Sequence, residues 1–311
     1  MMQVYHNGIV CSALFWGLIV GAAQDSQKVV LVAPSVVFGE NLQGAMRVGQ
    51  TAVVGMGKGG EVFCKGVNAL LGSWSPFKER EEALDWENPH TIFFNFLNGV
   101  PLDGHTTPPV VPTFCGTPIP PVLCALLGGQ IDRANFQRRA TEQLEKPGLN
   151  IGTAERFIIE GAIATCADPA KQADLTSVYP AVVRCLQNFC DQNPDCVVQI
   201  AGNGDVEFMR KMVTRNRELE QLFGTNEDRW ILSAAVRALC PSAEFFNRAS
   251  QRTKVSPSKL FFVGTEAVEQ TFCDSMEPRI RNTIVDPVTG DGTRVPVIEK
   301  FLQEQVRGDE G

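Results

Sequence analysis

Histidine is scarce in this chain: three occur in 311 residues, at His6, His90 and His105. A Ser-His-Asp or Cys-His device would need one of them. His90 precedes an aromatic segment and His105 sits in Leu102-Asp103-Gly104-His105-Thr106, so neither lies in a nucleophile motif and both read as surface or turn residues. No H-x₃-H or C-x₂-C spacing exists, which argues against zinc. The absence of Asn-x-Ser/Thr removes N-glycosylation. Basic charge is in deficit, with 28 Lys and Arg against 35 acids and a net charge of −7. A chain so charged lacks the cationic footprint for nucleic acid or an anionic membrane surface. There is no internal repeat and no low-complexity segment.

What the chain does have is an apolar leader. Gly8 to Ala23 carries no charge and ends in small residues before Gln24-Asp25-Ser26. The pattern predicts a secretory signal peptide over 1–23, with Gly21 and Ala23 at the −3 and −1 positions, although its first residues lack the usual Lys or Arg. The run is shorter than the roughly 20 residues that cross a bilayer, so no stable membrane insertion is expected after cleavage. Export places the protein outside the cell and makes disulfides the expected state of its cysteines. Nine remain beyond the leader: Cys64, Cys115, Cys124, Cys166, Cys185, Cys190, Cys196, Cys240 and Cys273. The odd number implies four bridges and one unpaired thiol. Cys185 and Cys190, if helical, face about 140° apart and do not pair with each other.

The composition, 44% hydrophobic and 20% charged, is that of a globular protein. Strand signals occupy 24–100. Val29-Val30-Leu31-Val32 is a short apolar run; Met46, Val48, Ala52, Val54 and Met56 alternate; Glu61 to Lys65 alternates again; and Thr91 to Leu97 reads as an aromatic strand. Seven prolines between Pro101 and Pro121 mark a connector over 101–125 that cannot be a ladder strand or a helix. After Leu126 the period turns helical, with helices expected from Ile131 to Pro147, from Thr153 to Cys166, around Val182 to Phe189, from Asp205 to Phe223, from Thr225 to Leu239, from Pro257 to Phe272 and from Pro296 to Val306. The expected fold is therefore α+β. A strand-rich N-terminal module, a small antiparallel sheet or sandwich, precedes a disulfide-braced α-helical bundle over 126–306 and a polar tail over 307–311. Each bridge in such a bundle would add roughly 3–4 kcal/mol.

Candidate chemistry is sparse. Gly55-Met56-Gly57-Lys58-Gly59-Gly60 matches G-x-G-x-x-G, and Gly55, Gly57 and Gly60 could admit a pyrophosphate. Glu61 to Gly66, directly after it, read as a strand rather than a helix, so a glycine-rich hairpin turn is the favoured reading and no cofactor is expected. Asp85, Glu87 and Asp103 flank Trp86 and the aromatic segment and, with His105, form the carboxylate set a hydrolase could use. Asp191-x-Asn193-x-Asp195 lacks the glycine and final glutamate of a calcium loop. Asp286 to Thr293 reads as turns, and Arg307-Gly308-Asp309 as chance. The expectation is an exported binding or structural protein, with an unknown extracellular ligand or protein partner and no evident catalytic site. Two alternatives remain open: an exported hydrolase with a carboxylate-based site between the two modules, and a nucleotide-binding protein using the turn at 55–60.

Overall fold

A computed structural model of the protein describes residues 27–39, 89–102, 104, 110–114, 116–149, 151–286 and 291–307. In chain order the elements are β1 (Lys28–Val32), the single turn α1 (Pro34–Val37), α2 (Pro89–Asn98), β2 (Thr113–Phe114), β3 (Thr117–Pro118), α3 (Pro121–Leu127), α4 (Arg133–Leu144), α5 (Thr153–Ala167), α6 (Pro169–Leu175), α7 (Pro180–Gln192) and β4 (Cys196–Gly202). They continue through α8 (Val206–Arg215), α9 (Arg217–Phe223), β5 (Ile231–Leu232), α10 (Ser233–Val236), α11 (Ala243–Thr253), β6 (Leu260–Gly264), α12 (Ala267–Ser275), β7 (Arg281–Ile284) and α13 (Asp291–Arg307).

The centre is a five-stranded sheet of order β5-β4-β1-β6-β7, and every neighbouring pair is parallel. This corrects the expected α+β architecture. Val29 to Val32 is uninterrupted in its hydrophobicity because β1 is the middle strand with both faces covered, and the same holds for Leu260 to Val263 in β6. Burying one such side chain contributes about 2 kcal/mol, so the two strands alone anchor much of the sheet. Among the described residues, β2 and β3 form a two-residue antiparallel hairpin, and no separate antiparallel module occurs. The strands expected between Met46 and Lys65 lie outside the described residues.

Three elements read wrongly from sequence explain the miss, one of them the helix expected from Thr225 to Leu239, which is a 3₁₀ turn, β5 and α10. Thr91 to Leu97 is helical, not a strand: Phe93, Phe94 and Leu97 are buried on one side of α2 while Asn95 and Asn98 are exposed. A short aromatic run fits either period, and Pro89 at the helix start tips it. The helix expected from Pro257 to Phe272 is instead a 3₁₀ turn, then β6, then α12. The region expected to be an all-helical bundle therefore supplies β4, β5, β6 and β7 of the sheet.

Other helices follow their local chemistry. Asp205 caps α8 by accepting from Phe208 N at 2.9 Å. Asn216 then ends α8 and caps α9, accepting from Glu218 N at 2.9 Å and Leu219 N at 3.1 Å, which divides the single helix expected over 205–223. At α5 the cap is Gly152, with Glu155 Oε2 accepting from Gly152 N at 2.6 Å.

Two hydrophobic clusters result. The larger surrounds the sheet and includes Leu31, Leu186, Ile200, Trp230, Phe246 and Phe262. The smaller joins α2, α3, α4 and α5 through Phe93, Phe94, Leu97, Phe136 and Ile159. Disulfides brace neither. Cys124, Cys166, Cys185, Cys190, Cys196, Cys240 and Cys273 are all thiols, and six of the seven are buried, packing as small apolar side chains. This corrects the expected disulfide framework for those positions; Cys64 and Cys115 lie outside the described residues, as does the leader.

Candidate functional site

In this sheet the chain leaves β1, builds β4 and β5 on one side, and then returns to lay β6 and β7 on the other. Strand order thus reverses between β1 and β6. Open parallel sheets hold ligands in the crevice outside the carboxyl ends of their strands at such a reversal. Here Ala33-Pro34-Ser35 leaves β1 and Thr265-Glu266 leaves β6. The backbone closes the two ends together, since Ala33 N donates to Val263 O at 2.8 Å.

Ser35 and Thr265 meet across the reversal, their hydroxyl oxygens 2.7 Å apart. Ser35 is half-buried and Thr265 buried. The buried Glu269 joins the same turn, its Oε2 accepting from Thr265 N at 2.9 Å and Glu266 N at 3.1 Å. The carboxyl can sit there because residue 264 is glycine: a Cβ at that point would stand 2.3 Å from Glu269 Oε2. Burial pushes the Glu269 carboxyl up from 4.5 to about 7, against the opposing pull of its two backbone donors and with a further rise from the neighbouring Glu266. Glu266 itself is half-buried at the mouth, and its Oε2 accepts from Thr113 Oγ1 at 2.7 Å and Gly116 N at 3.2 Å. Those donors belong to the β2–β3 hairpin, whose Phe114 packs on the smaller hydrophobic cluster. The carboxylate therefore lies where the helical and sheet clusters meet.

The surrounding loops are fixed by specific polar contacts. Arg294 of α13 is 1% exposed, donates to Ser35 O at 2.7 Å and Val36 O at 3.1 Å, and lies over the Tyr179 ring at 4.1 Å. At the end of β4, Asn203 donates to Cys240 O at 2.6 Å and accepts from Cys240 N at 3.0 Å. Arg133 pairs with Asp205 and donates to Cys166 O, joining α4 to the loop after β4. Burial pushes the Cys124, Cys166 and Cys273 thiols up to about 12 and raises Cys240 too, so none of these four serves as a nucleophile at neutral pH.

The sign of the Glu269 shift makes a stability prediction. The folded protein keeps the proton to a higher pH than the unfolded chain. The stability this group contributes is complete below about pH 4.5 and lost as the pH rises through about 7, a swing of about 3 kcal/mol. Glu269→Gln retains an oxygen for the two N–H donors and carries no charge. Urea unfolding at pH 5 and pH 8 is expected to show wild type losing about that much relative to the variant; a constant difference would show that Glu269 does not titrate in this range.

Asp85, Glu87, Asp103 and His105, and the glycines Gly55, Gly57 and Gly60, lie outside the described residues. Ser35, Thr265, Glu266 and Glu269 were missed. The usable signal was Gly264-Thr265-Glu266 following the apolar run from Leu260 to Val263, a strand end leading into a helix start. Reading one helix across 257–272 concealed it.

No protein-family model and no curated protein matches the chain. Among solved structures, a HAD family enzyme of Bacteroides thetaiotaomicron in complex with magnesium and inorganic phosphate is similar at 12% identity, over 85% of this chain and 96% of that one, with a TM-score of 0.45. Another structure of that enzyme aligns at 11% identity over 85% and 95% of the two chains with a TM-score of 0.44. Its magnesium complex aligns at 12% over 85% and 96% with a TM-score of 0.43. The expectation of a binding or structural protein without an evident catalytic site is corrected at this point. The carboxyl edge gathers two hydroxyls and two carboxyl groups where parallel sheets hold ligands.

Among the described residues, the crevice does not offer the ligands of a magnesium site. Magnesium takes carboxylate and water oxygens in an octahedral set. The segment after β1 is Ala33-Pro34-Ser35-Val36, with no acid, and among the described residues no three His, Cys, Asp or Glu converge as a metal site.

Proposed function

We propose that the protein is a hydrolase of small esters whose site is the crevice between the carboxyl ends of β1 and β6. The observation that carries this reading is the 2.7 Å contact of the Ser35 and Thr265 hydroxyls, with the Glu269 carboxyl, pushed up by burial to about 7, bonded to the Thr265 backbone. Ser35, half-exposed at the crevice, supplies the attacking hydroxyl, and Thr265 orients it. Glu266 and Glu269 are the carboxyl groups available to take up and return the proton. A carboxyl held near 7 is suited to this task, because it exchanges protons readily at neutral pH. The bond attacked is that of an ester; its oxygen leaves with the proton taken from Ser35, and water then releases the group held on Ser35. In this reading the site is carboxylate-based, with Glu266 and Glu269 in place of the Asp85, Glu87, Asp103 and His105 singled out from sequence.

The test is the hydrolysis of p-nitrophenyl acetate and p-nitrophenyl phosphate by wild type and Ser35→Ala, with circular dichroism confirming that both are folded. Removing the hydroxyl is expected to lower kcat/KM on the order of 100-fold for the ester that is cleaved. Wild-type rates in the folded Ser35→Ala variant would overturn the assignment.

A further inference from the structure

A second feature lies at the opposite edge of the sheet. A cavity of about 420 Å³ opens at the amino end of β4, walled by the last turns of α7, by α9 and by the 3₁₀ turn Glu227–Arg229. Its lining includes Cys190, Asp191, Cys196, Val198 and Arg229. Two cysteines of one chain thus face one cavity, outside the carboxyl-edge site.

The backbone between them is folded back on itself. Asn193 N donates to Cys190 O at 3.2 Å, and Cys196 N donates to Asn193 O at 2.9 Å, so two consecutive turns join the end of α7 to the start of β4. Each such turn holds its ends within about 7 Å. Cys190 and Val198 line the same cavity, and the Val198 backbone N–H lies close enough to the Cys190 sulfur to oppose the effect of its burial. Side chains two apart on a strand share a face, so Cys196 and Val198 stand on the same side of β4. Cys190 is also the one cysteine among the described residues that is not buried. Burial holds the Cys190 thiol above its ordinary range, with Asp191 adding to the rise and the Val198 N–H and Arg229 guanidinium opposing it; the fraction present as thiolate is the form that attacks disulfides.

We propose that Cys190 and Cys196 form an intramolecular disulfide when the protein meets a low-molecular-weight disulfide, so that this cavity is a redox-modification site. The Cys190 thiolate attacks one sulfur of the oxidant, forming a mixed disulfide and releasing one thiol. The Cys196 thiolate then attacks the Cys190 sulfur and releases the second thiol. Two protein S–H bonds are lost, one S–S bond forms, and the oxidant's S–S bond is reduced to two thiols. The cavity gives the small oxidant its access. The product ties the last turn of α7 to the first residue of β4. Cys185, on the same helix, does not line the cavity and does not take part.

The experiment treats the native full-length chain with oxidised glutathione, blocks the remaining thiols with iodoacetamide after denaturation, and maps the peptides. The expected first internal product is a Cys190–Cys196 peptide two hydrogens lighter than its reduced form. Cys196→Ser is expected to stop at glutathione on Cys190, and Cys190→Ser is expected to leave Cys196 unmodified at matched times. Full alkylation of Cys190, its pairing with another cysteine, modification of Cys185 at an equal rate, or unchanged Cys196 reactivity in Cys190→Ser would each overturn the proposal.

Discussion

Replacing Arg294 with methionine is expected to lower the unfolding free energy by about 3 kcal/mol, although methionine fills a similar volume. The guanidinium satisfies two buried carbonyls, Ser35 O and Val36 O, in the turn that follows the central strand. Without it each loses a charge-assisted donor, and an unsatisfied buried carbonyl costs about 1–3 kcal/mol. The contact with the Tyr179 ring, worth about 1–2 kcal/mol when desolvated, is lost as well. Removing the cost of burying the guanidinium offsets part of this total, which is why the net falls below the sum. Arg294→Lys keeps a charge and can reach one carbonyl, so it is expected to lie between the two. Urea midpoints for the three proteins check the order; a loss below about 1 kcal/mol for Arg294→Met would show that the turn holds without its clamp.

Gly264→Ala is expected to cost about 3 kcal/mol, at the upper end for added volume in a packed core. The new Cβ would meet Glu269 Oε2 at 2.3 Å, Phe262 Cε1 at 2.7 Å and Ile284 Cδ1 at 3.1 Å. Phe262 cannot yield, being fully buried and edge-on to Phe246 with ring centroids 5.5 Å apart. The carboxyl must therefore move, giving up its bonds from Thr265 N and Glu266 N. If this is the cause, the double variant Gly264→Ala with Glu269→Ala loses less stability than the two single changes added together. Strict additivity in thermal or urea unfolding would place the strain elsewhere.

These two positions also show how much of the molecule was legible in its sequence. The strand at Val29 to Val32 was readable, because a continuous apolar run with turn residues beyond it has few other outcomes. The helices around Arg133, Thr153 and Val182 were readable from their stripes and stops, and their buried residues include Phe136, Ile158 and Leu186. What local pattern could not supply was pairing across distance. Val29 lies beside Leu260, and Lys28 beside Cys196, across most of the chain. Parallel neighbours leave no hairpin turn to announce them. Leu260 to Gly264 is only five residues long and runs directly into the turn before α12, so an apolar strand and the helix after it merged into one helical reading. The site was lost with that strand, since Thr265 and Glu269 acquire meaning only when β6 ends beside Ser35. The cysteines misled for a related reason: an apparent leader made bridges the default, whereas Cys166, Cys240 and Cys273 are each placed as buried apolar side chains.

The most direct measurement is covalent trapping of the crevice hydroxyl. The native protein is incubated with a serine-reactive fluorophosphonate, its ester hydrolysis is followed to completion of the inactivation, and the adduct is located by peptide mapping. A single adduct on Ser35 that grows in step with the loss of activity is the expected result. Activity lost while Ser35 remains unmodified, an adduct confined to another residue, or no reaction at all would contradict a catalytic centre between β1 and β6.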